Sequence, residues 1–210
     1  MSSLTDHWNR IYRKKSPEQV SWFQPHLLQS LELTKNAHLA KNARIIDVGG
    51  GASSLANDLL AAGFSDITVV DISSEALRLA KARLADNATR VQWLEADVLK
   101  VALPSEHYDL WHDRAVFHFL VNSDDQSAYI TNMARALKTG GYFVIGGFAL
   151  DGPEQCSGLP VARHSSTTLR TLLGASFARV QETSETHHTP SGVEQRFIFC
   201  SFRKQEKMEA

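Results

Sequence analysis

Apolar runs of four to eight residues alternate along the chain with longer stretches in which leucine and alanine recur at helical spacing. The runs have the length and the β-branched or aromatic content of buried strands, whereas the longer stretches have the period of amphipathic helices. The predicted strands are 44–48, 67–70, 91–94, 108–112, 142–148, 178–183 and 195–202; the predicted helices are 53–62, a helix capped by Ser73 or Ser74, 126–137 and 167–173. Strands separated by helices indicate a parallel sheet covered on both faces, and the closing pair without a helix predicts an antiparallel edge.

Glycines and one long loop mark the breaks between these elements. Gly63 stands where the first helix should end and suits a C-terminal cap. Thr139-Gly140-Gly141 is expected to end the helix 126–137. The segment 149–165, ALDGPEQCSGLPVARHS, has no predicted element, and loops of that length inside a compact domain are usually functional or disordered.

The first predicted strand runs directly into the glycine turn of IIDVGGGASS, residues 45–54. A strand, a glycine turn and a helix in this order are typical of nucleotide binding, because glycine lets the backbone approach a ligand closely. Gly49 and Gly51 fit the first two positions of a G-x-G-x-x-G pattern, but Ser54 stands at the third. Asp47 would repel a pyrophosphate and suits a ligand with an ammonium or sulfonium group. A plain tight turn is the structural alternative.

Two further acids follow the next two predicted strands. Asp71 ends the second strand about 20 residues after the glycines, where an acid can accept hydrogen bonds from a ribose diol. Asp97 follows the third strand inside EADV, where it could accept from an adenine amino group. Either acid alone is as well explained by a helix cap or a solvated turn. Three strands that each end in an aspartate at one edge favour a nucleoside ligand.

Composition narrows the class of protein. The chain has 210 residues and a formal net charge of −1, which argues against a nucleic-acid surface. Cys156 and Cys200 are far apart and form no CxxC pair, so a reduced, cytoplasmic setting is expected. No signal peptide or membrane-spanning run of roughly 20 apolar residues is seen. His164 and His187-His188 lack convincing ligand spacing, so no metal site is predicted.

Five motifs lie in the order and spacing of a known family: DVGGGAS (47–53), VVDIS (69–73), EADV (95–98), YDLWHDR (108–114) and LKTGGYFVI (137–145). Over about residues 8–202 the chain resembles the class I S-adenosylmethionine-dependent methyltransferases. The resemblance implies a Rossmann-like, doubly wound α/β fold with a seven-stranded mixed sheet of order 3-2-1-4-5-7-6, strand 7 antiparallel. It also implies S-adenosylmethionine as cofactor and S-adenosylhomocysteine as product. The expected organisation is an aromatic N-terminal cover (1–40), the methyltransferase domain (41–204) and a solvated tail (205–210).

The same resemblance assigns the cofactor contacts. It places Gly49, Gly51 and Ala52 along the methionyl part of the cofactor. Asp71 is expected on the ribose and Asp97 near the adenine. The remaining expected cofactor contacts are Trp22, Asp47, Ile72, Val98 and His112.

The stretch YDLWHDRAVFHFL, residues 108–120, sets polar side chains inside an apolar frame at the end of the fourth strand. In the family, the methyl group faces this segment, so His112, Asp113, Arg114 and His118 are the candidate catalytic residues. Histidine can act as a base near neutral pH. The structural alternative is an Asp–Arg surface pair with a capping histidine.

Two other segments are candidates for shaping the acceptor pocket. Trp8, Tyr12, Trp22 and Phe23 form an aromatic N-terminal stripe that either packs the core or closes over the cofactor. In the loop 149–165, Arg163 is a candidate anion anchor, and Cys156 is not expected to act as a nucleophile.

Three functions remain open from the sequence. The aromatic cover and DRAVFHFL look similar to a thiol-methylating branch, which predicts a small-molecule acceptor such as a thiol, sulfide or related chalcogen compound. The pattern Trp8 to Tyr12 also resembles protein lysine methyltransferases, although WHDR replaces their amine-binding tetrapeptide. The third alternative is a non-catalytic module that binds the cofactor.

Overall fold

The computed structural model of the chain describes residues 3–206 and shows a seven-stranded sheet. The strands are β1 (Arg44–Val48), β2 (Asp66–Asp71), β3 (Val91–Glu95), β4 (Tyr108–Arg114), β5 (Leu137–Phe148), β6 (Phe177–His188) and β7 (Glu194–Lys204). Their order is β3-β2-β1-β4-β5-β7-β6; β1 to β5 run parallel, and β7 is antiparallel to β5 and β6. The doubly wound mixed sheet expected from the sequence is therefore confirmed, including its antiparallel seventh strand.

Six α-helices surround this sheet within the described residues: α1 (Leu4–Lys14), α2 (Leu28–Asn36), α3 (Leu55–Ala61), α4 (Ser74–Leu84), α5 (Ser123–Ala136) and α6 (Ser166–Leu173). Successive strand residues face opposite sides of a sheet. Ile45 accordingly belongs to the core that includes α2, α3 and α4, while Ile46 belongs to the core that includes α5 and α6. Both faces of the parallel strands are covered, which explains their nearly continuous apolar runs.

Several predicted boundaries are confirmed by their local chemistry. Ser73 caps α4, because its side-chain oxygen accepts a hydrogen bond from the amide of Ala76 at 3.1 Å. Gly63 follows α3 with a φ of +90° and donates its amide to the carbonyl of Leu60. The left-handed conformation at this position is the reason for a glycine.

The predicted end of α5 is one residue too late, and the glycine stop expected as its cause is wrong. The helix ends at Ala136, and β5 begins at the next residue, so Thr139-Gly140-Gly141 lies in the strand. The carbonyls of Ala134 and Leu137 accept hydrogen bonds from Lys204 Nζ at 2.8 and 2.7 Å. A lysine from β7 therefore satisfies backbone oxygens that the helix end leaves free, and no glycine cap is needed.

The N-terminal segment is ordered against the sheet domain. The side-chain oxygen of Asn9 in α1 accepts hydrogen bonds from Ser73 Oγ (2.8 Å) and from the amide of Glu75 (3.2 Å). Arg13 pairs with the carboxylate of Glu75 at 3.0 Å. Helix α1 is thus fixed on the N-terminus of α4. A division of the chain at residue 40 stays a prediction.

The loop 149–165 contains more structure than expected. Gln155–Cys156 pairs with Leu159–Pro160 in a short antiparallel ladder. The amide of Ala162 donates to the carbonyl of His118 at 2.7 Å, which holds the loop against the end of β4. Most of the predicted tail, residues 207–210, lies outside the described part of the chain. Within residues 3–206, no helix is long and apolar enough to cross a membrane.

Candidate functional site

A cavity opens at the carboxyl ends of β1 to β4, with about 1280 Å³ of empty space including the part open to solvent. The glycine turn after β1 forms its floor. Gly49 has a φ of +68°, and a Cβ atom there would lie 2.0 Å from Val116 Cγ2. Arg83 fixes the turn by donating to the carbonyls of Ala52 (2.8 Å) and Ser53 (2.7 Å). The turn is a rigid surface that a ligand can approach at backbone distance.

Asp71 is held beside this turn by two backbone amides. One carboxylate oxygen accepts from the amide of Gly51 at 3.0 Å, and the other accepts from the amide of Ser73 at 2.8 Å. Burial raises the pKa of Asp71 to about 6, against the effect of both amides. Because each carboxylate oxygen has a further lone pair, the fixed group can also accept from two ligand hydroxyls.

Asp97 follows β3 at the cavity and is partly exposed. Its side chain accepts from the amide of Leu99 at 3.0 Å and pairs with Lys100 at 3.1 Å. The turn expected as a structural alternative is therefore present, and the residue lines the cavity together with Ile72 and Val98. Both observations are compatible with an adenine contact, which stays a prediction.

Asp47 and His112 form a buried pair on adjacent strands. His112 Nδ1 lies 2.7 Å from Asp47 Oδ1, and His112 Nε2 lies 2.9 Å from Ser30 Oγ of α2. Both ring nitrogens are thus occupied, which leaves His112 without a free site for proton transfer. The ring positions the carboxylate of Asp47, and both residues line the cavity. A catalytic role for His112 as a base does not fit this geometry, whereas its expected position in the lining of the cavity does.

Asp113 requires a correction, because the structure places it away from the cavity. Its carboxylate accepts from the amides of Val116 (2.9 Å) and Phe117 (3.0 Å) and from the hydroxyl of Tyr129. Tyr129 in turn accepts a hydrogen bond from Trp111 Nε1 at 2.9 Å. This fully buried network holds the turn after β4 in place, so Asp113 stabilises the cavity wall and does not line the cavity.

Arg114 lines the cavity with an incompletely satisfied guanidinium group. Its Nη1 donates to the carbonyl of Trp22 at 3.1 Å, and its Cζ lies 5.3 Å from the ring centre of Phe197. Its Nε and Nη2 are buried and have no hydrogen-bond partner among residues 3–206. Burial lowers the pKa of Arg114 to about 10, so the group stays positively charged at neutral pH.

His118 is buried, lines the same cavity and lies in a single 3₁₀ turn after β4. Within the described chain, neither ring nitrogen has a hydrogen-bond partner. Burial lowers the pKa of His118 to about 3, and the charge of Arg114 adds to this effect. A neutral imidazole with so low a pKa is a weak proton acceptor. The prediction that His118 deprotonates an acceptor is therefore not supported by its surroundings.

Aromatic side chains from the N-terminal segment cover the cavity. The ring of Trp8 lies 5.8 Å from that of Trp22 and 5.1 Å from that of Phe119, and Tyr12 lies 6.1 Å from Trp22. These four residues line the cavity, whereas Phe23 does not. The expected closure over the site agrees with this geometry.

The cavity collects most of the residues selected from the sequence: Trp22, Asp47, Gly49, Asp71, Ile72, Asp97, Val98, His112, Arg114 and His118. Gly51 and Ala52 lie in the supporting turn behind it and do not line it. Sequence reasoning missed Phe148, Phe197 and Gln195, which also line the cavity. Phe197 and Gln195 come from β7, the antiparallel strand, which carries no motif.

Two candidates from the loop 149–165 have different surroundings. Cys156 is buried in the cavity wall, and burial raises the pKa of its thiol to about 11, which leaves it protonated. Arg163 does not line the cavity, because it donates to the carbonyl of Gly152 (3.2 Å) and pairs with Glu154 (2.9 Å). The expectation of an anion anchor at Arg163 is therefore wrong. In the described chain, no three histidine, cysteine, aspartate or glutamate side chains form a metal-binding group.

A glycine turn, a buried acid after β2 and a second acid after β3 define a Rossmann-like site for a nucleoside-containing ligand. Residues 45–141 match the family model described as "Methyltransferase domain". The "eEF1A lysine and N-terminal methyltransferase homolog" of Drosophila melanogaster is 26% identical over 148 residues, which cover 67% of this chain and 21% of that protein. The chain therefore spans about a fifth of the length of this relative.

Solved structures agree at the level of the fold. A structure concerning conversion of a disulfide bond into a thioacetal group during echinomycin biosynthesis has a TM-score of 0.77 and 20% identity, covering 97% of this chain and 94% of its own. Burkholderia thailandensis 1,6-didemethyltoxoflavin-N1-methyltransferase, solved with S-adenosylhomocysteine, has a TM-score of 0.68 and 19% identity, covering 96% and 84%. The family match over residues 45–141 and the shared Rossmann-like fold support a class I S-adenosylmethionine-dependent methyltransferase, a class whose cofactor is S-adenosylmethionine.

Proposed function

We propose that this chain transfers the methyl group of S-adenosylmethionine to a small-molecule nucleophile, and that the acceptor is a thiol or sulfide. The proposal rests on a difference in side chains between the two ends of the cavity. Its acids, Asp47, Asp71 and Asp97, line the end next to the glycine turn and the strands β1 to β3. The other end has a buried, aromatic wall, formed among others by Phe148 and Phe197.

The acid-lined end fits the cofactor. Asp71, which is fixed by two amides, would accept from the ribose hydroxyls, and Asp47 would pair with the methionyl ammonium. Ile72, Asp97 and Val98 would contact the adenine. A bound S-adenosylmethionine supplies an already activated methyl group, so the chain itself has to orient the acceptor and exclude water.

The aromatic end fits a small, polarisable acceptor. Phe119, Phe148 and Phe197 offer apolar surface, and sulfur makes favourable contacts with aromatic rings. Trp8 and Trp22 narrow the entrance from the N-terminal side. A compact thiol needs few hydrogen bonds and loses little hydration free energy on entering such a pocket, whereas a strongly hydrated amine would lose more of it.

Protein lysine methylation is the second candidate, since the Drosophila relative is named a lysine and N-terminal methyltransferase. A lysine side chain would have to place an ammonium or amine beside the positively charged Arg114. That arrangement is electrostatically unfavourable. A non-catalytic module remains the third candidate, and the cytoplasmic location expected from the sequence stays a prediction.

An acceptor panel separates these functions. Release of S-adenosylhomocysteine is measured with sodium hydrosulfide, with 2-mercaptoethanol and with ethanolamine, which differs from 2-mercaptoethanol in the nucleophile alone. In parallel, cofactor with a tritiated methyl group is incubated with a protein lysate. We expect turnover with hydrosulfide or 2-mercaptoethanol and none with ethanolamine. Label in protein without turnover of any thiol would favour the lysine enzyme, and cofactor binding without any product would favour the binding module.

A further inference from the structure

Arg114 is a buried cation in the wall of the cavity, and two of its three guanidinium nitrogens lack a hydrogen-bond partner among the described residues. Its Nη1 is used by the carbonyl of Trp22, while Nε and Nη2, which lie side by side on the guanidinium plane, have no partner among residues 3–206. Leaving buried charged donors unpaired is costly, so such an edge indicates an anion that the site is built to receive.

The charged and titratable groups around Arg114 do not neutralise it through contact. Glu185 of β6 and Asp47 of β1 act on it electrostatically, but neither forms an ion pair with it among the described contacts. One carboxylate oxygen of Glu185 accepts from Gln24, while its other oxygen is buried without a partner among residues 3–206. The carboxylate of Asp47 is engaged by His112. His187 is held by the carbonyl of Ser21 and by Gln24.

The groups that share the cavity with Arg114 favour a small anion. His118 is 2% exposed, and both of its ring nitrogens are unpaired within the described chain, so it can donate one further hydrogen bond. Phe148 and Phe197 supply apolar walls, and Cys156 is protonated. Asp47, the acid of the lining that acts electrostatically on Arg114, is paired with His112.

We infer that the Nε–Nη2 edge of Arg114, together with His118, binds the acceptor as a monoanion, namely a thiolate or hydrosulfide. This inference rests on the proposed methyl transfer. The acceptor proton is lost to solvent when the anion binds, so no protein base is required. A sulfur lone pair then forms the new S–C bond, and the electron pair of the breaking C–S bond returns to the sulfonium sulfur, which becomes a neutral thioether.

Chloride is a suitable probe because it is an unreactive monoanion. Excess line width of the ³⁵Cl NMR signal is measured on the chain saturated with S-adenosylhomocysteine, for wild type, Arg114→Met and Arg163→Met. We expect chloride affinity to fall about tenfold or more in Arg114→Met, the loss of charge-assisted hydrogen bonds. Arg163→Met serves as the matched control, since Arg163 lies outside the cavity and should leave the line width unchanged.

Competition identifies the kind of anion. Hydrosulfide should displace chloride from wild type and from Arg163→Met, and Arg114→Lys should recover part of the binding. Equal line widths in wild type and Arg114→Met would overturn the inference, as would displacement by acetate but not by hydrosulfide. Calorimetry with S-adenosylhomocysteine shows that each variant is folded, and the acceptor panel reports separately on the proposed function.

Discussion

Replacement of His112 by leucine tests whether the buried pair with Asp47 serves the cofactor or the acceptor. The side chain is 1% exposed, and it connects Asp47 of β1 with Ser30 of α2. Leucine has a similar size and no polar atom, so the substitution removes both hydrogen bonds without opening a large cavity. Asp47 would then retain Ser53 Oγ at 3.5 Å as its one side-chain partner among the described contacts.

The size of the effect follows from these contacts. A hydrogen bond to a charged group contributes about 1.5–3 kcal/mol, which corresponds to a change of roughly 10- to 150-fold in a dissociation constant. If Asp47 binds the methionyl ammonium, a carboxylate that is no longer oriented should weaken cofactor binding by an amount in this range. Ser30→Ala removes a neutral partner of the far ring nitrogen, so its effect should stay within about 0.5–1.5 kcal/mol.

Isothermal titration with S-adenosylhomocysteine measures both variants, and thermal unfolding without ligand reports on their folding. We expect the order wild type, Ser30→Ala, His112→Leu, from tightest to weakest binding. Unchanged cofactor affinity in a folded His112→Leu variant, combined with lower turnover, would contradict a role of the pair in cofactor binding. His112 would then act on the methyl acceptor.

Two further predictions concern buried carboxylates. Asp71→Asn should weaken S-adenosylhomocysteine binding by about 1.5–3 kcal/mol. The affinity of the wild type should fall below pH 6, because protonation of a carboxyl whose pKa is about 6 removes the acceptor for the ribose hydroxyls. Calorimetry across pH 5–8 checks both, and a pH-independent affinity would contradict the ribose contact. Tyr129→Phe should lower the free energy of unfolding by about 1–3 kcal/mol, because Trp111 Nε1 and Asp113 lose a buried partner, and cofactor affinity should remain; urea unfolding measures this, and an unchanged midpoint would speak against the network.

The sheet and its cofactor edge could be predicted because their signals are local. The glycines directly follow the strand 44–48, and Asp71 stands at the end of its own strand. Residues that are neighbours in the sequence therefore already form the nucleotide-binding motif. Parallel strands then bring these carboxyl ends to one edge whatever the surrounding sequence. The cause of the α5 end could not be predicted for the opposite reason, since Lys204, which lies 67 residues from Leu137, satisfies the helix end in place of a glycine cap.

The roles of the polar residues at the end of β4 could not be predicted from their order in the sequence. His112 and Asp113 are neighbours, yet alternation along the strand sends one to Ser30 of α2 and the other to Tyr129 of α5. Arg114 differs from Arg163 in burial and partners, which depend on Trp22 and Phe197 from distant segments. Hydrogen bonding across such distances decides whether a polar residue supports the fold or faces a ligand.

A crystal structure of the chain with S-adenosylhomocysteine would locate the sulfur atom from which the methyl group leaves, relative to the acids and to Arg114. We expect ribose hydroxyls within hydrogen-bond distance of Asp71, the ammonium group beside Asp47, and the sulfur open toward Arg114 and His118. A sulfur atom that faces away from Arg114, or a ribose without contact to Asp71, would contradict this expectation.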